Sequence, residues 1–486
     1  LEDIVKKLLL TFLSAVLAFA PTVARAQTEE EIRKTAIEDL KPWIEQEVQR
    51  RVKEAMEAAK TNAPPASVQV PVAAPPSAQA GPVESPESAK LSDQLAKELG
   101  AVSPLSQSPN RPITLVSGQG AYANLSLDVL GLMGTSSRAN IGLVDPYGSG
   151  QRGFELQEAE IFIDGAVDPY FYGAGNFSFT TDNRNSTSVY VEEAFLRTLS
   201  LPWNLQVQAG QFHTAFGRLN QQHTHMWDYV DPPLVNARLF GGDLINPGVQ
   251  ISWLAPTPFY TAVYFTVQDS QGERQDSQAV SFLGNTPLFG RTPVDRSIHS
   301  VGDLLFVPRI TSSFDLTDNQ TVTVGASAAF GPNDSGSDTR TEIYGLDAYW
   351  KWKPANAHGG WPFLKWQSEA MTRRYEAGAD PTAVPLPLPD ETLWDWGGYT
   401  QLVWGFTSGW TAALRGDYVD GTKGAFYPDP DRDERWRISP ALTWYLSEFS
   451  KIRLQYNFDE ISHFGPAHSV WVQFEYVLGA HGAHPY

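Results

Sequence analysis

The sequence predicts an all-β fold: a transmembrane antiparallel β-barrel of about 16 strands, preceded by an N-terminal α-helical periplasmic segment. Three observations predict it. Apolar and polar residues alternate with period two from near residue 120 to the end of the chain. The gaps between alternating segments are themselves alternately long and short. The chain also carries 15 Trp, 18 Tyr and 25 Phe. Yet after the first 26 residues no apolar run of roughly eighteen occurs, so aromatic strands rather than helices are expected to cross a bilayer.

Residues 1–26 read as a secretory signal peptide: Lys6 and Lys7, an apolar run over 8–20, then the small-x-small site Ala24-Arg25-Ala26. The chain has no cysteine, so an exported protein of this kind draws no stability from disulfides. Residues 27–60 are rich in helix formers. Ile37, Leu40, Ile44, Val48, Val52, Ala55 and Ala59 keep one apolar stripe close to an eleven-residue repeat, a candidate coiled coil. Residues 61–110 form a Pro/Ala/Ser linker with a short helix at 91–100.

Residues 111–486 are the expected barrel. In IRLQYNFD, Ile452, Leu454, Tyr456 and Phe458 face one way, and Arg453, Gln455, Asn457 and Asp459 the other. Trp471, Gln473 and Glu475 oppose Val470, Val472, Phe474 and Tyr476 in the same manner. Sixteen such segments run from 122–135 to 469–480. The long gaps include 136–152, 218–247, 269–301, 376–393 and 421–435, and the short ones include 168–169, 201–203 and 408–409. Long loops at one end and tight turns at the other mark an outer-membrane barrel of a Gram-negative-type cell, in contact with outer-membrane lipid. Sixteen strands are wide enough for an aqueous channel. The closing strand VWVQFEYVLGAHGAHPY, ending in Tyr486, is similar to the assembly signals of outer-membrane proteins.

A net charge of −19 argues against a nucleic-acid partner. Phosphate-binding glycine loops, zinc-protease helices and GxSxG elbows are not visible, so no enzyme is expected. The polar strand faces carry Glu158, Glu160 and Asp164, then Asp347, Glu369, Asp417 and Asp459 with Lys351, Lys365, Arg373, Arg415, Arg437 and Arg453. Those six cations are candidate lumen residues. A lumen lined by both signs either filters small polar solutes by a transverse field or simply tolerates charge because it is wet.

The block FELQEAEIFIDGAVDPYFYGAGNFSF, followed by VYVEEAFLRTLSLPWNLQVQAGQFHTAFGRLN, resembles the phosphate-selective porin group (porin O/P-like). Val207, Gly210, Gln211, Phe212, Phe216 and Gly217 carry the match. The continuation QQHTHMWDYVDPPLVNARLFGGDLINPG and the ending AHGAHPY resemble a related group labelled zinc-regulated TonB-dependent outer-membrane receptors. The porin resemblance implies a homotrimer passing small hydrophilic solutes or ions, with the third external loop folded inward to narrow the pore. The receptor label implies a plug domain and a barrel of about 22 strands, which 111–486 is too short to supply.

On this reading residues 218–247 are the third external loop. Arg218, Gln221, His223, His225, Asp228, Asp231 and Arg238 are candidates for the constriction, together with Asn220, Gln222 and Asp243. His223 and His225 with Asp228 form a candidate Zn²⁺ site, imidazole and carboxylate being suitable ligands; otherwise no cofactor is expected. Histidine there also has a use without metal, as a titratable lining. A strand running through Gly217 puts His213 on the wall, outside the loop. His481 and His484 form a second, weaker pair. Two alternatives stand beside the porin: a substrate-specific receptor for zinc uptake, and a structural barrel anchoring the envelope through the N-terminal helix.

Overall fold

Strict alternation over many short segments gives strands whose two faces differ, and the sheet they form closes on itself. The computed structural model describes residues 113–118, 121–138 and 152–479, apart from 167, 182–186, 272–280, 285–287, 385, 423 and 425–431. The expected signal peptide, helix, coiled coil and linker over 1–110 lie outside the described residues, as do His481 and His484.

The strands are β1 (Ile113–Gly118), β2 (Ala121–Ser136), β3 (Gly153–Ala166), β4 (Phe171–Thr181), β5 (Thr187–Thr198) and β6 (Leu205–His213). Then come β7 (Ile245–Leu254), β8 (Tyr260–Gln268), β9 (Leu305–Thr317), β10 (Gln320–Pro332), β11 (Arg340–Trp352) and β12 (Phe363–Ala377). The set ends with β13 (Glu391–Thr407), β14 (Trp410–Gly421), β15 (Arg435–Ser447), β16 (Ser450–Ile461) and β17 (Gly465–Leu478). β2 to β17 pair antiparallel in chain order, and β17 pairs back onto β2, from Ser469↔Ser136 to Leu478↔Leu127. The result is a closed 16-strand barrel, as the alternation predicts. β1 is an addition the sequence did not announce. It pairs with β2 at Ile113↔Leu125 and Gly118↔Ala121, continuing β17's edge beyond Leu478.

The outward face is apolar. Leu346 is 66% exposed, and Trp366, Trp404, Leu414, Ile438 and Phe474 are likewise uncovered. The inward face is polar: Arg453, Gln455, Asn457 and Asp459 of β16 are buried, as are Gln473 and Trp471 of β17.

The alternation breaks in β5. Val191, Glu192 and Glu193 are consecutive, so a regular strand would turn one glutamate toward the apolar outer face. The β4–β5 register instead shifts between Asn176↔Glu193 and Phe177↔Val191, leaving Glu192 in a bulge. Both glutamates are thereby buried inside the barrel.

Candidate functional site

The strand expected to run to Gly217 ends at His213, and the next begins at Ile245 rather than 248. Residues 214–244, which form loop 3, leave the wall and enter the barrel. Phe212 and Phe216 are fully buried at the departure. Gly210 has φ +131°, and a Cβ there would lie 2.2 Å from the Ala194 carbonyl oxygen. Gly217 has φ +58°, and its Cβ would meet the Glu369 carboxylate. Both positions favour glycine. The GQF-x-x-x-FG motif therefore marks the place where the chain turns from wall to lumen.

Loop 3 is bonded to much of the inner wall. Thr214 N–H donates to the Leu244 carbonyl and closes its base. Gly217 N–H donates to Ser327 Oγ on β10, and Leu219 N–H to Glu369 Oε1 on β12. The tip crosses to β14–β16. Asp231 accepts from Arg415 Nη2 and Arg437 Nη1, each at 2.7 Å, and from Gln455 and Asn457 amides at 2.8 Å. Burial pushes the Asp231 carboxyl up, but Arg415, Arg437 and Gln455 outweigh it and hold it below the usual 3.8. The Trp227 carbonyl accepts from Arg453, the His225 carbonyl from Lys451, and Val230 N–H donates to Gln455.

After Pro232-Pro233 the loop forms one short helix, α1 (Leu234–Phe240), ended by Gly241 at φ +73° with its N–H on the Ala237 carbonyl. The helix packs inside the barrel: Leu234, Val235, Leu239 and Phe240 join Phe216 and wall residues such as Val307, Ile343 and Met371 in one buried cluster. Leu234 N–H donates to Asp417 Oδ1, and Arg238 donates to the Arg432 and Asp433 carbonyls.

These contacts revise the expectations for several residues. Arg373, Arg415, Arg437 and Arg453 are buried, three of them in ion pairs and Arg453 hydrogen-bonded to Gln473 and the Trp227 carbonyl, not open to water. Arg373 binds Asp395, Arg415 binds Asp231 and Asp417, and Arg437 binds Asp231 and Asp459. The reason is that loop 3 covers Arg415, Arg437 and Arg453, while Ser281 and Phe289 cover Arg373, so solvent is excluded and each charge needs partners. Lys351 and Lys365 are cross-strand neighbours on β11 and β12, with Lys351 exposed. Arg218 lies over the Tyr349 ring at 3.9 Å, and Gln221 bonds the Gly217 carbonyl.

The expected metal set is not assembled. Asp228 pairs with Lys365 Nζ at 2.7 Å and with Gln401, while His223 and His225 face β2–β5. His213, expected on the wall and apart from the loop, is instead the neighbour of His223, with ring centroids 4.7 Å apart. His225 stacks on His223 at 5.6 Å. Around them lie Asp128, Glu160, Glu192 and Glu193, all buried. His213 Nε2 is 3.2 Å from Glu192 Oε1, and His223 Nε2 is 3.1 Å from Glu193 Oε2. His225 Nδ1 is 3.4 Å from Glu160 Oε2. Burial opposes an imidazolium at His223, but Glu192, Glu193 and Glu160 hold its pKa well above the usual 6.5. Reasoning from sequence misses Glu192, Glu193 and Asn176. The signal is the adjacent acidic pair, which a barrel strand accommodates only through a bulge.

Beside loop 3 a polar cavity of about 710 Å³ remains, lined by Arg197, Gln206, Arg218, Gln221, Gln250 and Arg309 among others.

The molecule is thus a closed 16-strand antiparallel barrel with loop 3 folded inside. Among solved structures it is similar to OmpTdeltaL8, a loop L8 deletion mutant of an outer membrane protein of Vibrio cholerae, at 8% identity and TM-score 0.46, over 74% of this chain and 100% of that one. It is also similar to an anion-selective porin from Comamonas acidovorans (8% identity, TM-score 0.46, 74% and 99%). The Salmonella typhi OmpF complex with daunomycin gives 15% identity and TM-score 0.45 over 74% and 99%. No family model matches the chain. It is 32% identical over 355 residues to an "Uncharacterized protein" of Aquifex aeolicus (strain VF5), covering 69% of this chain and 71% of that one. The chain belongs to one family with that protein.

Proposed function

We propose that this protein is an outer-membrane porin, passing small hydrophilic solutes or ions by passive diffusion through a lumen that loop 3 narrows. The observation that carries the reading is loop 3 itself. It is tied by Asp231 to β14–β16 on the far wall and leaves a polar cavity of about 710 Å³ beside it. The apolar outward face supports a bilayer setting, since hydrocarbon is the solvent that such a surface suits. Sixteen strands favour this reading over a zinc-uptake receptor, for which a plug and about 22 strands are expected. Among the described residues, loop 3 occupies the lumen together with Ser281, Phe282 and Phe289 of the segment after β8. A homotrimer, implied by the resemblance to the porin group, is part of the reading and is tested by the mass of the detergent-solubilised complex.

The decisive experiment is conductance of the purified full chain in planar bilayers. Stepwise current increments that scale with salt concentration are expected. Folded protein that inserts without conducting at either polarity overturns the proposal.

A further inference from the structure

The bulge in β5, the end of β6 and the first turn of loop 3 bring three ligands to one point. Glu192, His213 and His223 each offer one donor atom, all within 4.8 Å of one another, and all three residues are buried. Glu192 Oε1 is 3.2 Å from His213 Nε2, and its Oε2 is 3.4 Å from His223 Nδ1. Ligands about 2.0–2.1 Å from a tetrahedral zinc ion stand about 3.3 Å apart, close to the spacing of each histidine nitrogen from its Glu192 oxygen.

The second nitrogen of each ring is held as ligand histidines usually are. His213 Nδ1 lies 2.9 Å from the Asn220 carbonyl oxygen, an atom that only accepts, so Nδ1 carries the proton and Nε2 faces Glu192. Asn220 is itself fixed: its amide donates to the Thr214 and Leu244 carbonyls and its oxygen accepts from Leu244 N–H. His223 Nε2 contacts Glu193 Oε2, which leaves Nδ1 facing Glu192. A carboxylate or carbonyl behind each imidazole sets the tautomer and sharpens the ring as a donor.

Asn176 gives an independent sign. It is fully buried, and its Nδ2 lies 2.8 Å from Glu192 Oε2 and 3.1 Å from Glu160 Oε2, with His223 Nδ1 at 3.2 Å. Its two amide hydrogens serve the two carboxylates, while Asn176 Oδ1 accepts no hydrogen bond. A buried amide oxygen left without a donor beside this cluster is a group that a bound cation would satisfy.

We propose that Glu192, His213 and His223 bind a divalent transition-metal cation of the zinc class, with Glu160 as a further oxygen beside the site. The ion clips the first turn of loop 3 to the wall strands β5 and β6. Its ligands differ from the His223, His225 and Asp228 set expected from spacing, and the site does not depend on the porin reading.

The test uses the full chain in detergent, stripped with chelator, dialysed and titrated with Zn²⁺ by calorimetry and with Co²⁺ by visible absorbance. Saturable binding of one equivalent per chain is expected, with the visible bands of a four-coordinate Co²⁺ site. A His213→Ala/His223→Ala variant should lose at least about 100-fold in affinity, and Glu193→Gln roughly 10–100-fold as an outer-layer change. Asp228→Asn should bind as the wild type does. Heat-modifiable mobility on gels verifies that each barrel is folded. No saturable binding by folded wild type overturns the proposal, and so does unchanged affinity in the double variant. If the double variant does not fold, unchanged affinity in Glu193→Gln is the overturning result. Conductance plays no part in these readouts, so loss of the porin reading leaves them intact.

Discussion

Replacing Asp231 by asparagine isolates what holds loop 3 across the lumen. The side chain keeps its shape but loses its charge, and with it the 2.7 Å ion pairs to Arg415 and Arg437. Asparagine also places an amide where one oxygen accepted from those guanidiniums or from Gln455 and Asn457. Breaking a buried ion pair from one side costs about 3–5 kcal/mol. Here Arg415 retains Asp417 and Arg437 retains Asp459, so the lower end applies, about 3 kcal/mol. That figure corresponds to roughly a hundredfold larger population of undocked loop. Amide hydrogen exchange reads it directly, because Val230 N–H is bonded to Gln455 only while the tip is docked. In Asp231→Asn, exchange over 225–235 should accelerate by about a hundredfold while strand amides stay protected. In single-channel records, excursions to larger conductance should become more frequent in proportion. If exchange in that segment matches wild type in a folded barrel, Asp231 does not anchor the loop.

The same geometry makes three more predictions. Because Asp231 has a folded pKa below its usual 3.8, its contribution is fully present above about pH 4 and is lost as pH falls through the folded value. The exchange ratio between Asp231→Asn and wild type should therefore be constant from neutral pH to about pH 4 and shrink below it; a ratio unchanged at pH 2 contradicts this. Leu346, mid-strand on β11 and 66% exposed outward, should lose about 2–4 kcal/mol of unfolding free energy in lipid vesicles when changed to arginine. Equal stability of Leu346→Arg and Leu346→Ala would show that this face does not meet hydrocarbon. Gly210→Ala, strained at φ +131° and clashing with Ala194, should destabilise by about 1–3 kcal/mol. Gly416→Ala, which meets nothing within 4 Å, serves as its control and should be close to neutral.

Much of the architecture is legible in the sequence because a barrel wall obeys a local rule. Side-chain alternation reports which face is wet, and it locates all sixteen wall strands from 122–135 to 469–480 and the inward set Arg453, Gln455, Asn457 and Asp459. β1 escapes notice because Ile113–Gly118 is short and lies against β2 only below the end of β17. The interior is less legible, for a physical reason. What Arg415 or Asp228 touches depends on where a segment more than a hundred residues away comes to rest, and alternation says nothing about that. Spacing groups Asp228 with histidines three and five positions away, but the 3₁₀ turn at Thr224–Met226 sends the two toward opposite walls. His213 reads as a wall residue, yet it meets His223 because it is the last residue of its strand. The adjacent Glu192 and Glu193 are the one local clue to the histidine cluster, since an unbulged strand would strand a carboxylate in lipid.

The partners of Asp231 are also among the most distant in sequence, with Arg437 206 residues further on. A slip of one residue in β14, β15 or β16 would turn Arg415, Arg437 or Gln455 to the outer surface and leave the aspartate buried without them. The contact thus ties the seating of an early loop to the register of three strands that follow it by roughly two hundred residues.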